Sequence, residues 1–217
     1  MKIEVIPSIL VRTSDKLRSQ LKKISKYFEK VQIDIADGKF VGNKTIQAAS
    51  FKGIKPKIKL EVHLMVKNPE KYINDWKKVG AKSLIFHYEA CRNEKKVNEV
   101  IGKIKKNKMK IGIALNPRTS AKKIKPFLKK VDTVLLMTVN PGWQGQKFLM
   151  SQLKKIRQIR KWNKKIDIEV DGGLKPGTAC LAAKAGANKL VAGSFVVRHK
   201  SVRKALDELK KDVRCLK

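Results

Sequence analysis

The 217-residue chain reads as an α/β protein, a single (β/α)8 TIM barrel over residues 1–217. Three observations carry that reading. Short β-rich runs alternate with longer Lys-rich amphipathic runs along the whole chain, the pattern of a parallel sheet built from βα units. The repeats number eight at near-regular spacing, with no linker or break in composition, and eight such strands can close on themselves. The unusual polar residues fall after the strands, at the end of a barrel where active sites sit.

The strand candidates, in order, are Ile3–Ile6, Val31–Ile35, Ile58–His63, Ser83–Phe86, Lys110–Ala114, Thr133–Met137, Ile166–Val170 and Lys189–Ala192. Helical patterns lie between them at Asp15–Phe28, Pro69–Val79, Glu94–Asn107, Ala121–Leu128, Met150–Trp162, Pro176–Ala185 and Ser201–Val213. Ser14 and Ser201 can cap their helices, and Asn68-Pro69 reads as a cap followed by proline in the first turn. Gly80 and Gly186 stop helices before the next strand. The segment Thr45–Phe51 is short and irregular. An open doubly wound sheet is the competing architecture, but no Gly-x-Gly-x-x-Gly follows the first strand.

Composition narrows the class of protein. The apolar content supports a substantial core, and no stretch is long and apolar enough to cross a bilayer. The N-terminus enters a strand directly and lacks the regions of a secretory signal. Cys91, Cys180 and Cys215 show no metal-ligand spacing and read as reduced thiols of a cytoplasmic protein. The net charge is +34, from 52 basic and 18 acidic residues. These basic residues are mostly lysines spread over every helical segment, without interleaved aromatics, so they read as a solvated surface rather than a nucleic-acid site. Such a surface would still draw in an anionic, phosphorylated substrate.

Strand after strand ends in a polar group. Ser8 follows the first, Asp34 and Asp37 the second, His63 closes the third and His87 the fourth. Asn116 follows the fifth, Asn140, Gly142 and Gly145 the sixth, Asp171 ends the seventh, and Gly193-Ser194 end the eighth. Side chains two apart on a strand share a face, so Gln32 points with Asp34, Glu61 with His63, and Glu169 with Asp171. Ile33, Val62 and Val170 should then face the helices. A barrel interior holding Asp34, His63 and Asp171 needs its charge compensated, and a divalent cation would do that. Three glycine loops, Pro141-Gly142-Trp143-Gln144-Gly145, Gly172-Gly173 and Gly193-Ser194, offer bare backbone N–H groups to an anion such as phosphate. Plainer readings stand beside these. Asp37 before Gly38 can be a turn residue, His87 an internal hydrogen-bonding group, Asn116-Pro117 a turn, and Met65 and Met137 ordinary core.

In this combination and order the motifs resemble the ribulose-phosphate 3-epimerases, over nearly the whole chain. The match runs from Pro7-Ser8-Ile9-Leu10 through Asp34-x-x-Asp37-Gly38-x-Phe40-Val41-x-Asn43, Val62-His63-Leu64-Met65-Val66 and Asn68-Pro69-Glu70. It continues through Phe86-His87-x-Glu89-Ala90, Ala114-Leu115-Asn116-Pro117, Asn140-Pro141-Gly142 with Gly145-Gln146, and Glu169-Val170-Asp171-Gly172-Gly173, to Val191-Ala192-Gly193-Ser194. The resemblance implies a barrel of the ribulose-phosphate binding type and an isomerase of the pentose phosphate pathway, cytoplasmic and homo-oligomeric. It would interconvert D-ribulose 5-phosphate and D-xylulose 5-phosphate. Asp34 would take the C3 proton and Asp171 return it, through a 2,3-enediolate whose charge a divalent metal holds. Ser8 and His63 would touch the sugar. Gly142, Trp143, Gln144, Gly145, Gly172, Gly173, Gly193 and Ser194 would surround its phosphate, and Met65 and Met137 would pack beside the enediolate.

The chain also departs from the family pattern. Gln32 stands where the family has a metal-binding histidine. The metal set becomes Asp34, His63 and Asp171, with Gln32 as a weaker, harder fourth donor. That shifts the expected ion from Zn2+ toward Mn2+, Fe2+ or Mg2+. Ala36 replaces a methionine, Gly42 a proline, and Trp143-Gln144 a Phe-Gly pair. These changes leave room for a related ketose phosphate such as D-allulose 6-phosphate. An orotidine-decarboxylase-type barrel would need a lysine at position 36. A barrel kept only to bind a polyanion or RNA would not need both aspartates.

Overall fold

The computed structural model describes residues 2–216, with one nine-stranded sheet in which every pairing is parallel. The chain runs β1 (Glu4–Ile6), β2 (Ser8–Ile9), α1 (Ser14–Ile24), β3 (Lys30–Ala36), β4 (Lys59–Met65), α2 (Ile73–Val79), β5 (Ser83–His87) and α3 (Glu94–Lys106). It continues through β6 (Lys110–Leu115), β7 (Thr133–Met137), α4 (Gln152–Trp162), β8 (Asp167–Asp171), α5 (Thr178–Ala185), β9 (Lys189–Val191), α6 (Gly193–Arg198) and α7 (Val202–Asp212). Around the sheet the order is β1-β9-β8-β7-β6-β5-β4-β3-β2.

β1 is the expected first strand; Pro7, which has no N–H to give to a ladder, separates it from β2, a two-residue strand that was not expected. β1 pairs with β9 and β2 with β3, so the two strands bring the ends of the sheet together and make the barrel. The Pro7 carbonyl still accepts from Gln32 N at 2.9 Å. Eight expected strands thus become nine.

Alternation along the strands sorts the interior. Ile33, Val62 and Val170 face outward into the large core shared with helix residues such as Leu17, Val97 and Ile156. Inside the barrel, Ile85, Ala114, Leu135, Met137 and Val139 form a separate apolar cluster. Glu61 and Glu169 are also buried inside, one inward-facing position before His63 and Asp171. Ser83 Oγ donates to Glu61 Oε2 at 2.9 Å, and Lys30 Nζ stands 3.9 Å from the same oxygen. Burial, then the charge of Glu61, push Glu169 well above the usual carboxylate range, so a neutral Glu169 is the form this interior favours.

Several local expectations need correction. Thr13, not Ser14, caps α1: its hydroxyl accepts from Lys16 N at 3.4 Å, and the helix ends at Ile24 rather than Phe28. Asn68 makes no side-chain cap, and Pro69–Lys71 is a 3-10 turn that hands over to α2. Ala121–Phe127 is 3-10 throughout, and Pro126 within it has no N–H for an α-helical bond. The short helix α6 was not expected. Ser201 caps α7 as expected, and Gly80 and Gly186 end their helices in the left-handed conformation. Cys180 and Cys215 are not reduced thiols; a disulfide joins α5 to the C-terminal 3-10 turn, with Cα atoms 6.1 Å apart. Cys91 is buried and unpaired.

Candidate active site

The strand register delivers the acids. Asp34 lies opposite His63 on the neighbouring strand, and Asp171 comes from β8 on the other side of the β1–β2 seam. Asp34 is 4 % exposed, and Gln32 and His63 are fully buried. His63 Nδ1 stands 3.2 Å from Asp34 Oδ1 and 3.6 Å from Asp171 Oδ2. Gln32 sits between the same two oxygens: Nε2 donates to Asp34 Oδ1 at 2.9 Å and to Asp171 Oδ2 at 3.1 Å. Its Oε1 is buried with no partner.

Behind His63 runs a polar chain. His63 Nε2 is 2.9 Å from His87 Nε2, His87 Nδ1 is 3.4 Å from Glu89 Oε2, and Glu89 Oε1 accepts from Asn116 N at 2.8 Å. Burial alone would lower the His63 pKa, but hydrogen bonding to Asp171 and Asp34 and their charges push it up to about 10. Burial holds His87 below its ordinary value, so the pair carries one charge, on His63. Burial raises Asp171; the His63 hydrogen bond opposes this and the Asp34 charge adds to it.

The donor atoms of Asp34, His63 and Asp171 lie within 4.8 Å of one another and could hold a metal ion. Turning the Gln32 carboxamide over would satisfy its orphaned oxygen on the same ion. Two carboxylates, an imidazole and an amide oxygen therefore fit a divalent cation.

Above the acids is a cavity of about 40 Å3 lined by Ser8, Asp34, Met65, Met137, Gly142, Trp143, Gln144, Gly145, Asp171, Gly172, Gly173, Gly193 and Ser194, among others. His63 and Gln32 stand behind the acids, while Asp37, His87, Asn116 and Asn140 lie outside the lining. Asp37 is a turn residue whose carboxylate accepts from Lys39 N, Phe40 N and Lys67 N. At about 10–15 Å3 per water the cavity holds a few waters, so a larger ligand requires the mouth to widen. Gln144 takes part of the room: its Nε2 and Ser8 Oγ stand 2.8 and 2.5 Å from the point where a Cβ on Gly193 would be. A larger groove of about 960 Å3, beside α2, contains none of these residues.

The mouth is tied by Arg12, Asn43 and Thr138, of which only Asn43 belongs to the motifs read from sequence. Arg12 donates to Asn43 Oδ1 at 2.8 Å and lies 5.7 Å from the Trp143 ring centroid. Asn43 Nδ2 donates to Gly142 O at 2.8 Å. Thr138 Oγ1 donates to Gly172 O at 2.6 Å and locks one glycine loop to the next. Thr138 carried a weaker sequence signal, a polar residue directly after a strand, and Arg12 carried none.

Fold and site together define a barrel enzyme with paired carboxylates beside a candidate cation site and a glycine-walled mouth. The model of the Ribulose-phosphate 3 epimerase family matches residues 4–197. The ribulose-phosphate 3-epimerase of Bacillus subtilis is 40% identical over 216 residues, covering 96% of this chain and 98% of that protein. The Schizosaccharomyces pombe enzyme is 36% identical, covering 98% and 95%. The chain belongs to this family, and so to the epimerases, a class of isomerase. Among solved structures, KGPDC from Streptococcus mutans superposes with a TM-score of 0.73, covering 99% of this chain and 98% of that one at 12% identity. Orotidine 5'-phosphate decarboxylase from Pyrococcus horikoshii superposes with a TM-score of 0.68 at 14% identity, covering 97% and 99%. Likeness at that identity speaks for the fold alone.

Proposed function

We propose that this protein interconverts D-ribulose 5-phosphate and D-xylulose 5-phosphate by moving one proton at C3. The observation that carries the reading is the convergence of Asp34 and Asp171, from strands on either side of the seam, on one cavity walled by glycine loops. The C3 hydrogen is acidic because C3 is α to the C2 ketone. Asp34 removes it, and Asp171 returns a proton from the other face, inverting the centre. Ser8, in the lining, holds a sugar oxygen, and His63 behind the acids fixes Asp34 and Asp171. Met65, Met137 and Val139 keep water from the planar intermediate. Backbone around Gly142–Gly145, Gly172–Gly173 and Gly193–Ser194 receives the phosphate, with Gln144 adding a side-chain N–H.

Asp34, His63 and Asp171, with Gln32 through its amide oxygen, would hold the divalent cation. When bound, that ion supplies positive charge to the oxygens on which negative charge develops. With one neutral amide among the donors, the site favours Mn2+, Fe2+ or Mg2+ over tightly held Zn2+.

The test is turnover and C3 hydrogen exchange in D2O, followed by NMR. Asp34→Asn and Asp171→Asn should each lower kcat by about 10²–10⁴-fold. Wild-type turnover in either variant refutes the two-acid assignment. D-allulose 6-phosphate, run beside ribulose 5-phosphate, tests whether Gln144 in the mouth has moved the preference to a longer ketose.

A further inference from the structure

The cavity presents a charge problem. It is lined by two acids and by no lysine or arginine, in a chain with 52 basic residues. A phosphate entering it meets backbone dipoles but no full positive charge in the lining. A phosphate monoester carries nearly two negative charges at neutral pH. Attraction over the whole surface raises the encounter rate without fixing the phosphate in one pose.

One guanidinium is placed to do that. Arg198, the last residue of α6, turns back toward the glycine loop that follows β7. Its Nη1, Nη2 and Cζ lie 3.5, 3.7 and 3.9 Å from the point where a Cβ on Gly145 would stand. Both nitrogens stand closer than the carbon between them, so the nitrogen end of the fork is turned toward the bare face of Gly145, a residue of the cavity lining. Arg198 makes no ion pair or side-chain hydrogen bond among the described residues, and its side chain is exposed. Arg12, the other arginine at the mouth, is engaged with Asn43 and Trp143.

We propose that Arg198 is the cation that reads the substrate's phosphate, closing onto it bidentately across Gly145. The planar fork suits a phosphate edge, and a lysine would give only a point charge. Arg198 acts on binding and stands outside the proton-transfer pair. The inference rests on the epimerase reading for its substrate but not for its chemistry, because any phosphate ester seated on these loops would meet the same guanidinium.

The experiment measures KM and kcat for ribulose 5-phosphate, and the affinity for inorganic phosphate by calorimetry, in wild type, Arg198→Met and Arg198→Lys. Arg198→Met should raise KM and the phosphate Kd about tenfold while kcat moves less than about twofold. Arg198→Lys should recover part of both. The salt dependence of phosphate binding should flatten in the methionine variant. Unchanged phosphate affinity in Arg198→Met, or no phosphate binding by wild type, overturns the proposal. Loss of phosphate binding in a protein that does not turn over ribulose 5-phosphate would sustain it while refuting the epimerase reading.

Discussion

Replacing Gly173 with alanine probes the seating of the Gly172-Gly173 loop proposed to receive the phosphate. Gly173 has φ +66, and a Cβ there would meet Phe148 N at 2.5 Å and Phe148 Cα at 2.8 Å. An L-residue in the left-handed region costs about 1–2 kcal/mol. Pressing a methyl group against backbone adds about 1–3 kcal/mol, since backbone cannot rotate out of the way. The sum, about 2–5 kcal/mol, lowers Tm by about 4–20 °C for a chain of this size. Gly80→Ala is the control: φ is +96 and nothing lies within 4 Å of its Cβ position, so only the conformational cost of about 1–2 kcal/mol applies. Urea denaturation at constant m-value should rank the two variants, with Gly173→Ala lower by about 1–3 kcal/mol. The Gly173 variant should also bind inorganic phosphate more weakly, and the Gly80 variant should not. Equal stabilities, or a crystal structure with the methyl seated and Phe148 unmoved, would refute the reasoning.

Other expectations follow from particular groups. The disulfide between Cys180 and Cys215 closes a separation of 35 residues, which the chain-entropy model values at about 4 kcal/mol; Cys215→Ser should lose a stability of that order. Unreduced protein in denaturant should titrate one thiol and reduced protein three, so three thiols without reductant would refute the bond. Burial pushes the Cys91 thiol up to about 12, so a thiol reagent at pH 8 should leave it untouched until the protein unfolds. Burial alone would raise Asp37, but backbone N–H groups of Lys67, Phe40 and Lys39 hold it below its ordinary 3.8. A depressed folded pKa stabilises above the unfolded value and is lost as pH falls through the folded one. Asp37→Asn should therefore flatten the acid limb of stability below about pH 4, and an unaltered limb would count against a stabilising role for these turn hydrogen bonds.

The acids were legible because Asp171 ends β8 and Asp34 lies two residues before the end of β3, each just ahead of a glycine-containing loop, and alternation then told which neighbours share their face. The barrel was legible from eight repeats. Less visible were features that depend on distant parts of the chain meeting. Gln32 reads from sequence as a weaker metal donor, but its bridge to Asp171 spans 139 positions and exists only once β3 and β8 face one cavity. Helix α6 is six residues long, and Phe195, Val196 and Val197 look like a continuing strand. β2, just beyond Pro7, has only two residues and so no periodicity of its own to read. The pairing of Cys180 with Cys215 has no spacing signature. Arg198 is one of 52 basic residues, and only its closeness to Gly145 separates it from the rest.

Gln32 also has a consequence for metal retention that a histidine would not have. An amide carries a donor and an acceptor on one plane, so it can serve the site in two orientations. With N–H inward it bonds both carboxylates, as in this structure; with oxygen inward it faces a cation. Each N–H to a carboxylate is worth about 1.5–3 kcal/mol, and the orphaned Oε1 takes back about 1–3 kcal/mol. The two bonds less that cost leave about 0–5 kcal/mol in favour of the metal-free form, and the central value of about 2.5 kcal/mol weakens metal binding by about 60-fold, at 1.4 kcal/mol per tenfold. Gln32→Glu separates the two roles, because a carboxylate keeps the oxygen ligand but donates nothing. That variant should hold Mn2+ at least tenfold more tightly, measured by chelator competition. Its stripped form should unfold below the stripped wild type, since a third carboxylate then faces Asp34 and Asp171 unpaired. A stripped Gln32→Glu protein as stable as stripped wild type would mean that the two hydrogen bonds from Gln32 contribute nothing, and the explanation for weak metal retention would fall with them.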